Sequence, residues 1–249
     1  MDRQWPQPFF LAGSQKIAIL LLHAYTGNST DMRLLAQALN RQGYAVLVPQ
    51  FRGHATGEPL DILMAGSPAA WWQDTLRAIA DLQSQGYQQI ACFGLSLGGL
   101  FAAKAILTQP TVIGGGTLSA PIFTDDFSRI PNQFIHYAQK IGQLVGRDTY
   151  SQHRELQLIQ QLLPRQLADI QTLAHQLRPQ IATIRKPFLV AQGGQDQLID
   201  PQAGQRLADQ ISTNWLTFCW YAQAGHVLTV NQAHQQLAQD IINFIDKLK

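Results

Sequence analysis

Short runs of apolar residues recur along the chain without alternating with polar residues. Runs of this length and β-branched content are typical of strands buried on both faces, which is the usual condition of a parallel sheet. The pattern predicts strands over 16–24, 44–50, 89–94, 115–121, 187–193 and 217–223.

Between these runs, apolar residues are spaced as on one face of an amphipathic helix. Ser67 is a suitable N-cap for one of these helices, with Pro68 at its first helical position. Strands that alternate with helices imply right-handed βαβ units, so the expected fold class is α/β with a mostly parallel sheet flanked by helices. The predicted helices cover 29–43, 67–86, 100–109, 201–211 and 234–248. The buried face of the first should consist of Leu34, Leu35, Ala38 and Leu39.

One long segment, from about residue 122 to about residue 184, interrupts this alternation. It contains helical patterns and no convincing strand. Apolar residues at helical spacing form two faces in this segment. One face consists of Phe134, Ala138, Ile141 and Val145, and the other consists of Leu167, Ile170, Ala174, Leu177 and Ile181. An all-helical insertion between two core strands is typical of a lid. We therefore predict a single domain over 1–249 with a small helical lid at about 122–184; the alternative is that this segment is an ordinary stretch of core helices.

Composition narrows the class of protein. Of the 249 residues, 46% are hydrophobic and 14% charged, which predicts a packed core and excludes disorder. The net charge is +2 and the basic residues are scattered, so neither nucleic acid nor a stable membrane association is expected. No signal peptide or membrane-spanning run is recognisable, which predicts a cytoplasmic protein. Cys92 and Cys219 are accordingly expected to be free thiols.

The segment GLSLGG at 94–99 places Ser96 between a predicted strand and a predicted helix. Gly-x-Ser-x-Gly in this context is the pattern of a nucleophile elbow, a strained turn that exposes the serine hydroxyl above the sheet. Small residues are needed at 94 and 98 because the turn leaves no room for larger side chains. The alternative is that these glycines serve only the close packing of a helix on a strand.

A serine hydroxyl needs a base, and the base needs an orienting acid. In this arrangement the acid and then the histidine follow the serine in the chain, each after a later strand. Asp196 and His226 meet this requirement. Asp200 is the rival acid, but the sequence IDP before a helix favours an N-cap role for it. The rival bases are His54, which we interpret as a loop residue bordering the site, and His136, His153, His175 and His234, which we expect at the surface.

Backbone N–H groups must also face the oxygen that becomes negative during acyl transfer. One comes from the residue after the nucleophile, here Leu97, and the other from the loop after an early strand. In that loop, HAYTGN at 23–28, Tyr25 is the natural candidate. An irregular strand end would account for Gly27 and Asn28 as turn residues, but not for His23 at the end of a wholly apolar strand.

Together, six segments of the chain resemble the small bacterial carboxylesterases of the α/β-hydrolase superfamily, close to monoacylglycerol lipases. They are LLLHAYTGNS, FRGHATG, SPAAWWQD, GLSLGGLFA, QDQLIDP and AGHVLTVNQ. The resemblance runs from about residue 10 onward and implies a catalytic triad of Ser96, Asp196 and His226. It also implies an oxyanion hole formed by the N–H groups of Tyr25 and Leu97. One position departs from the family, which usually has glycine after the histidine of the first segment, where this chain has Ala24.

The expected function is hydrolysis of short- to medium-chain carboxylic esters, with monoglycerides as one candidate, through an acyl-enzyme. A thioesterase or amidase of the same fold is the alternative within enzymes, and a non-catalytic binding protein the alternative outside them. No metal or organic cofactor is expected, and the partner is a small-molecule ester. The acyl pocket has four aromatic or branched candidates that could instead pack the lid on the body: Phe123, Phe127, Ile130 and Phe134.

Overall fold

The computed structural model describes residues 4–212 and 214–249, so the first three residues and Thr213 of the predicted domain lie outside the described residues. The strands are β1 (Phe9–Leu11), β2 (Ile17–Leu22), β3 (Ala45–Val48), β4 (Gln89–Leu95), β5 (Val112–Leu118), β6 (Phe188–Gly193) and β7 (Leu216–Tyr221). The helices are α1 (Arg33–Arg41), α2 (Leu60–Met64), α3 (Pro68–Ser84), α4 (Leu97–Thr108), α5 (Ile130–Leu144), α6 (Thr149–Ile181), α7 (Ala203–Asp209) and α8 (His234–Asp246).

The seven strands form one sheet in the order β1-β3-β2-β4-β5-β6-β7. Every neighbouring pair is parallel except β1, which pairs with β3 in antiparallel orientation. The predicted mostly parallel α/β sheet is therefore confirmed, and each of the six predicted strands is present. Since the parallel strands end at the same edge, the loops that follow β2, β4, β6 and β7 converge there.

The sheet is covered on both faces, as the continuous apolar runs predict. In β2, Ala18, Leu20 and Leu22 pack into a core with α3, α4 and α6. The alternate residues Ile17, Ile19 and Leu21 pack into a second core with α1 and α8 on the opposite face. The two cysteines are free thiols, with Cys92 buried in the first core and Cys219 packed against the second.

Two details of the predicted elements are wrong. The strand predicted over 115–121 is β5, which begins at Val112, because three consecutive glycines without side chains weaken the apolar pattern of VIGGGTL. In α1, Leu34 is 44% exposed and Ala36 is buried beside Leu35 and Leu39. A 3-10 turn over 29–32 precedes this helix, so its buried face differs from the one predicted.

The segment predicted as a lid consists of a 3-10 turn at Pro121–Phe123 followed by α5 and α6, without a strand among its residues. The predicted inner face of α6 is buried throughout, whereas on α5 the burial stops before Val145, which is 43% exposed. Although α6 is 33 residues long, none of the helices in the described part of the chain is long and apolar enough to cross a membrane.

Candidate active site

Ser96 lies in the turn that joins β4 to α4. Its backbone has φ 50° and ψ −114°, in a region that side-chain-bearing residues rarely adopt. The strain is held from both sides, because the Ser96 N–H donates to the Leu118 carbonyl of β5 at 2.8 Å and its carbonyl accepts from Gly99 N–H at 2.9 Å. A strained backbone that the surroundings fix in this way is characteristic of functional sites.

The glycines around Ser96 are required by close backbone contacts. A Cβ at Gly94 would lie 2.0 Å from the Gly98 carbonyl oxygen. A Cβ at Gly98 would lie 2.3 Å from the Leu22 carbonyl oxygen. The first turn of α4 therefore rests directly on the end of β2. This contact brings the N-terminus of α4 beside the loop that follows β2.

Asp196 follows β6 and its carboxylate accepts four hydrogen bonds. Oδ1 accepts from the N–H groups of Leu198 at 2.9 Å and Ile199 at 3.0 Å. Oδ2 accepts from His226 Nδ1 at 2.7 Å and Gln192 Nε2 at 3.0 Å. Burial by itself would raise the pKa of Asp196, but the hydrogen bonds and charge of His226 and the two backbone donors hold it below its usual value. The carboxylate is thus charged and acts only as an acceptor.

Asp200, the rival acid, has a different environment. Its Oδ1 accepts from Gln202 N–H at 2.9 Å, and its Oδ2 pairs with Arg206 at 2.7 Å. The side chain is half exposed and makes no hydrogen bond to a histidine in the described part of the chain. The predicted N-cap role of Asp200 is wrong, because the cap position of α7 is Gln202 and the carboxylate of Asp200 accepts the N–H of that residue.

His226 follows β7 and is buried against Asp196. Because Asp196 can only accept, His226 Nδ1 carries the proton of their hydrogen bond and Nε2 is left as the basic nitrogen. Among the rival histidines, His136, His153 and His175 are exposed, as expected, whereas His234 is half-buried at the start of α8. His54 is buried beside Tyr25 and does not line the cavities at Ser96, so it does not border the site directly.

Ser96 and His226 line one cavity of about 320 Å³. Its walls come from the 24–31 loop, α5 and the loops after β6 and β7, and its apolar residues include Ile130, Phe134, Leu198, Val227 and Val230. A second cavity of about 30 Å³ also touches Ser96 and is almost wholly apolar. Of the four candidate pocket residues, Ile130 lines both cavities, Phe134 the larger and Phe127 the smaller, whereas Phe123 lines neither.

The two predicted oxyanion donors, Tyr25 and Leu97, both line the smaller cavity at Ser96, and Tyr25 also lines the larger one. Leu97 is the first residue of α4, so its N–H has no acceptor within the helix. Within the described ranges, neither the Leu97 N–H nor the Tyr25 N–H is paired with a backbone carbonyl outside the regular elements. Ala24 is not among the described residues with positive φ, so its methyl group causes no strain of that kind. The positive φ in this loop falls on Thr26, at 57°.

His23, the polar end of an apolar strand, fixes this loop. Its Nε2 accepts from the Phe51 N–H at 3.0 Å, so its Nδ1 carries the proton and donates to the Ala24 carbonyl at 2.8 Å. Burial lowers the pKa of His23 to about 4, and the ring is therefore neutral. The neighbouring His54 is also neutral, because burial and the adjacent His23 lower its pKa well below the usual value.

We expect the free energy of unfolding to fall as the pH decreases from 7 to 4. The unfolded chain binds a proton at His23 near pH 6.5, whereas the folded chain does so only near pH 4. Stability from neutral His23 is therefore complete above pH 6.5 and is lost progressively down to pH 4, by about 3 kcal/mol. Urea titrations across this range measure the loss.

Replacement of His54 tests a second contribution to the pH dependence of stability, with the same sign as that of His23. The His54 ring packs against Tyr25 and Trp71, and its Nε2 has no hydrogen-bond partner among the described residues. His54→Phe should keep these contacts and make the unfolding free energy less dependent on pH, whereas His136→Phe on the exposed face of α5 should not. An unchanged pH slope in His54→Phe would contradict the assignment.

Two buried neighbours of the predicted site residues are not predicted by the sequence analysis. Gln192 is fully buried at the end of β6 and donates to Asp196. The sequence feature that could have identified Gln192 is a polar residue inside an otherwise apolar strand. Gln166 of α6 is buried and accepts a hydrogen bond from the Tyr25 hydroxyl at 2.6 Å. It has no comparable signal, because glutamine is frequent on the helices of this chain.

Comparison with known proteins finds relatives that are esterases or lipases along nearly the whole chain. A carboxylesterase from Bacillus subtilis (strain 168) is 31% identical over 243 residues, covering 98% of this chain and 97% of the relative. A thermostable monoacylglycerol lipase from Bacillus sp. (strain H-257) is 24% identical over 259 residues, covering 99% of each. Among solved structures, one from work on LipS and LipT, two metagenome-derived lipolytic enzymes, has a TM-score of 0.75 at 18% identity and covers 97% of each chain.

These relatives confirm the resemblance inferred from the six segments. The structural likeness, at low identity, confirms the α/β-hydrolase fold. The family described as serine aminopeptidase, S33, matches residues 13–233. Because this match and the 31% identical relative each span most of the chain, the protein belongs to the serine aminopeptidase S33 family of α/β-hydrolases.

Proposed function

We propose that the protein hydrolyses carboxylic esters through an acyl-enzyme formed on Ser96. The observation that carries the proposal is the 2.7 Å hydrogen bond between Asp196 and His226, with His226 and Ser96 on one cavity. A strained serine, a histidine whose Nε2 is the basic nitrogen and a buried carboxylate are the three components of nucleophilic acyl transfer. The carboxylesterase and lipase relatives support the same class of reaction.

In the first step, the Ser96 hydroxyl attacks the ester carbonyl carbon and His226 Nε2 takes the hydroxyl proton. The imidazolium that forms is stabilised by the charged Asp196, which also keeps the ring in the required tautomer. The proton then passes from His226 to the alcohol oxygen as the carbon–oxygen bond breaks. Ser96 is left acylated and the alcohol departs.

The negative oxygen of the tetrahedral intermediate is stabilised by the N–H groups of Tyr25 and Leu97. The Leu97 donor is fixed before the reaction, because α4 rests on the end of β2 at Gly98. The N-terminus of α4 adds a partial positive charge at the same place. In the second step, water gives a proton to His226 and attacks the acyl carbon, which releases the acid and restores Ser96.

The cavity favours an ester over the amino terminus of a peptide. An aminopeptidase needs a free carboxylate to bind the α-ammonium group of its substrate. The carboxylate that lines the larger cavity is Asp31, and it is already bonded to the Asn28 N–H in a capping box at 3.0 Å. Burial also raises the pKa of Asp31, which weakens it further as an ammonium partner. The remaining walls are neutral or apolar apart from His226.

The size and lining of the larger cavity support short- to medium-chain esters as substrates. A volume of about 320 Å³ is at the lower end of the range of ligand sites. Thr26 and Gln133 offer hydrogen bonds to a polar alcohol, which keeps monoglycerides as one candidate. A p-nitrophenyl ester series from acetate to palmitate tests this, with matched thioesters and anilides for the alternative classes. Highest turnover on short or medium esters is expected, and preference for the thioester or anilide would favour the alternative.

Ile130→Ala is expected to move the chain-length optimum toward longer acyl groups. Ile130 lines both cavities at Ser96, so its truncation enlarges the space beside the nucleophile. The ratio of kcat/KM for long and short esters should change by about 10-fold. Ile135→Ala is the matched control, because Ile135 lies on the same helix and lines neither cavity. An equal shift in both variants would contradict the assignment.

A further inference from the structure

We propose that Gln166, on the long helix α6 of the insertion, is a positioning residue that sets the Tyr25 N–H of the oxyanion hole through the Tyr25 hydroxyl. The inference rests on the proposed function, in which that N–H is one of the two donors. Gln166 lies far from Tyr25 in sequence and does not line the larger cavity at Ser96. It acts through Tyr25 and not on the substrate.

The Gln166 amide is held by three hydrogen bonds. Its Oε1 accepts from the Tyr25 hydroxyl at 2.6 Å. Its Nε2 donates to the carbonyls of Ile62 at 2.8 Å and Gly66 at 2.9 Å, at the end of α2. The reverse orientation would turn Oε1 toward two carbonyl oxygens, so only one orientation satisfies the group. Since Gln166 is 6% exposed, water offers little replacement for these bonds.

Tyr25 transmits this constraint to its own backbone. Its ring is packed between Trp71, at 6.0 Å between centroids, and Phe134, at 5.5 Å. Burial raises the pKa of the phenol well above its usual value, so the hydroxyl remains a donor at working pH. With the ring packed and the hydroxyl bonded, neither side-chain torsion of Tyr25 is free to turn. The position of its N–H is fixed accordingly.

Three parts of the molecule therefore meet at one amide: the loop after β2, the end of α2 and the inner face of α6. A displacement of α6 would withdraw the acceptor from Tyr25. The hole would then lose its geometry while Ser96, Asp196 and His226 stayed in place on the sheet. Donors act on the transition state, so such a loss lowers kcat and leaves KM nearly unchanged.

The experiment compares Tyr25→Phe, Gln166→Leu and the double variant with the wild type. Tyr25→Phe removes the hydroxyl and keeps the ring. We expect kcat to fall about 10-fold in each single variant, with KM within about two-fold. Affinity for a trifluoromethyl ketone, which forms a tetrahedral oxyanion on Ser96, should fall by the same factor. The double variant should lose no more than either single variant, because both lack the same hydrogen bond.

Gln171→Leu is the matched control on α6, since Gln171 donates to the Asp125 carbonyl at the surface. It should keep both kcat and ketone affinity. A purely structural role of Gln166 would lower the melting temperature and leave kcat and ketone affinity of the folded protein unchanged, which overturns the inference. Equal losses in Gln171→Leu would overturn it as well. Absence of turnover in the wild type, or turnover unaffected by Ser96→Ala, is a separate result that would contradict the proposed function itself.

Discussion

Ser96→Ala is expected to abolish ester hydrolysis, lowering kcat by roughly 10⁶-fold. The substitution removes the attacking oxygen and leaves His226 without a proton to accept. The backbone of the turn is held by hydrogen bonds to Leu118 and Gly99, which do not involve the hydroxyl, so the fold should be kept. Turnover of p-nitrophenyl butyrate by matched concentrations of folded protein measures the effect.

Ser119→Ala is the matched control for this loss. Ser119 also follows a strand of the sheet and has φ 49°, but its side chain is fully buried and does not line the cavities at Ser96. We expect its kcat to remain within a few-fold of the wild type. A fluorophosphonate should label the wild type and Ser119→Ala at Ser96, and should not label Ser96→Ala. If Ser96→Ala retained turnover and labelling, the glycines around Ser96 would serve packing alone.

Asp196→Asn is expected to lower kcat by about 10⁴-fold, with little effect on KM. The N–H groups of Leu198 and Ile199 both donate to Oδ1, so the amide oxygen of the asparagine must occupy that position. Its NH₂ group then faces His226 Nδ1, which has to become an acceptor. The ring proton moves to Nε2, and the histidine can no longer take the proton of Ser96.

Asp200→Asn distinguishes this effect from a general loss of negative charge. Asp200 lies four residues later and its carboxylate pairs with Arg206 at the surface. Because it makes no bond to His226, kcat should stay within about two-fold of the wild type. Comparable losses in the two variants would mean that the loop after β6, and not the Asp196–His226 pair, is what activity requires.

Much of the fold could be predicted from the sequence because its signals are local. The strands β2, β4 and β6 are buried almost throughout, and this produces continuous apolar runs without the spacing of an amphipathic helix. The end of each strand then locates Ser96, Asp196 and His226, since parallel strands deliver their carboxyl ends to one edge. Whether Ala24 is strained could not be predicted from the sequence, because only the backbone angles of the structure show that its φ is not positive.

The remainder depends on contacts between distant residues. The three-residue strand β1 is too short to produce a pattern, and it is stabilised by its pairing with β3. Gln166 has the same residue type as many exposed glutamines, and its partners Tyr25 and Ile62 are more than 100 residues away. Such a role follows from the packing of α6 on the body and has no trace in local periodicity.

The interior position of β2 in the sheet has a consequence for how heat inactivates the protein. Ile17–Leu22 is an uncharged, proline-free run of six apolar residues, a composition that favours cross-β assembly when it is exposed. In the native sheet both of its edges are occupied, by β3 and β4. Once heat opens the sheet, this run becomes available to other copies, and aggregation competes with refolding. The working lifetime of the protein is then governed by the rate at which the sheet opens, and not by its equilibrium stability.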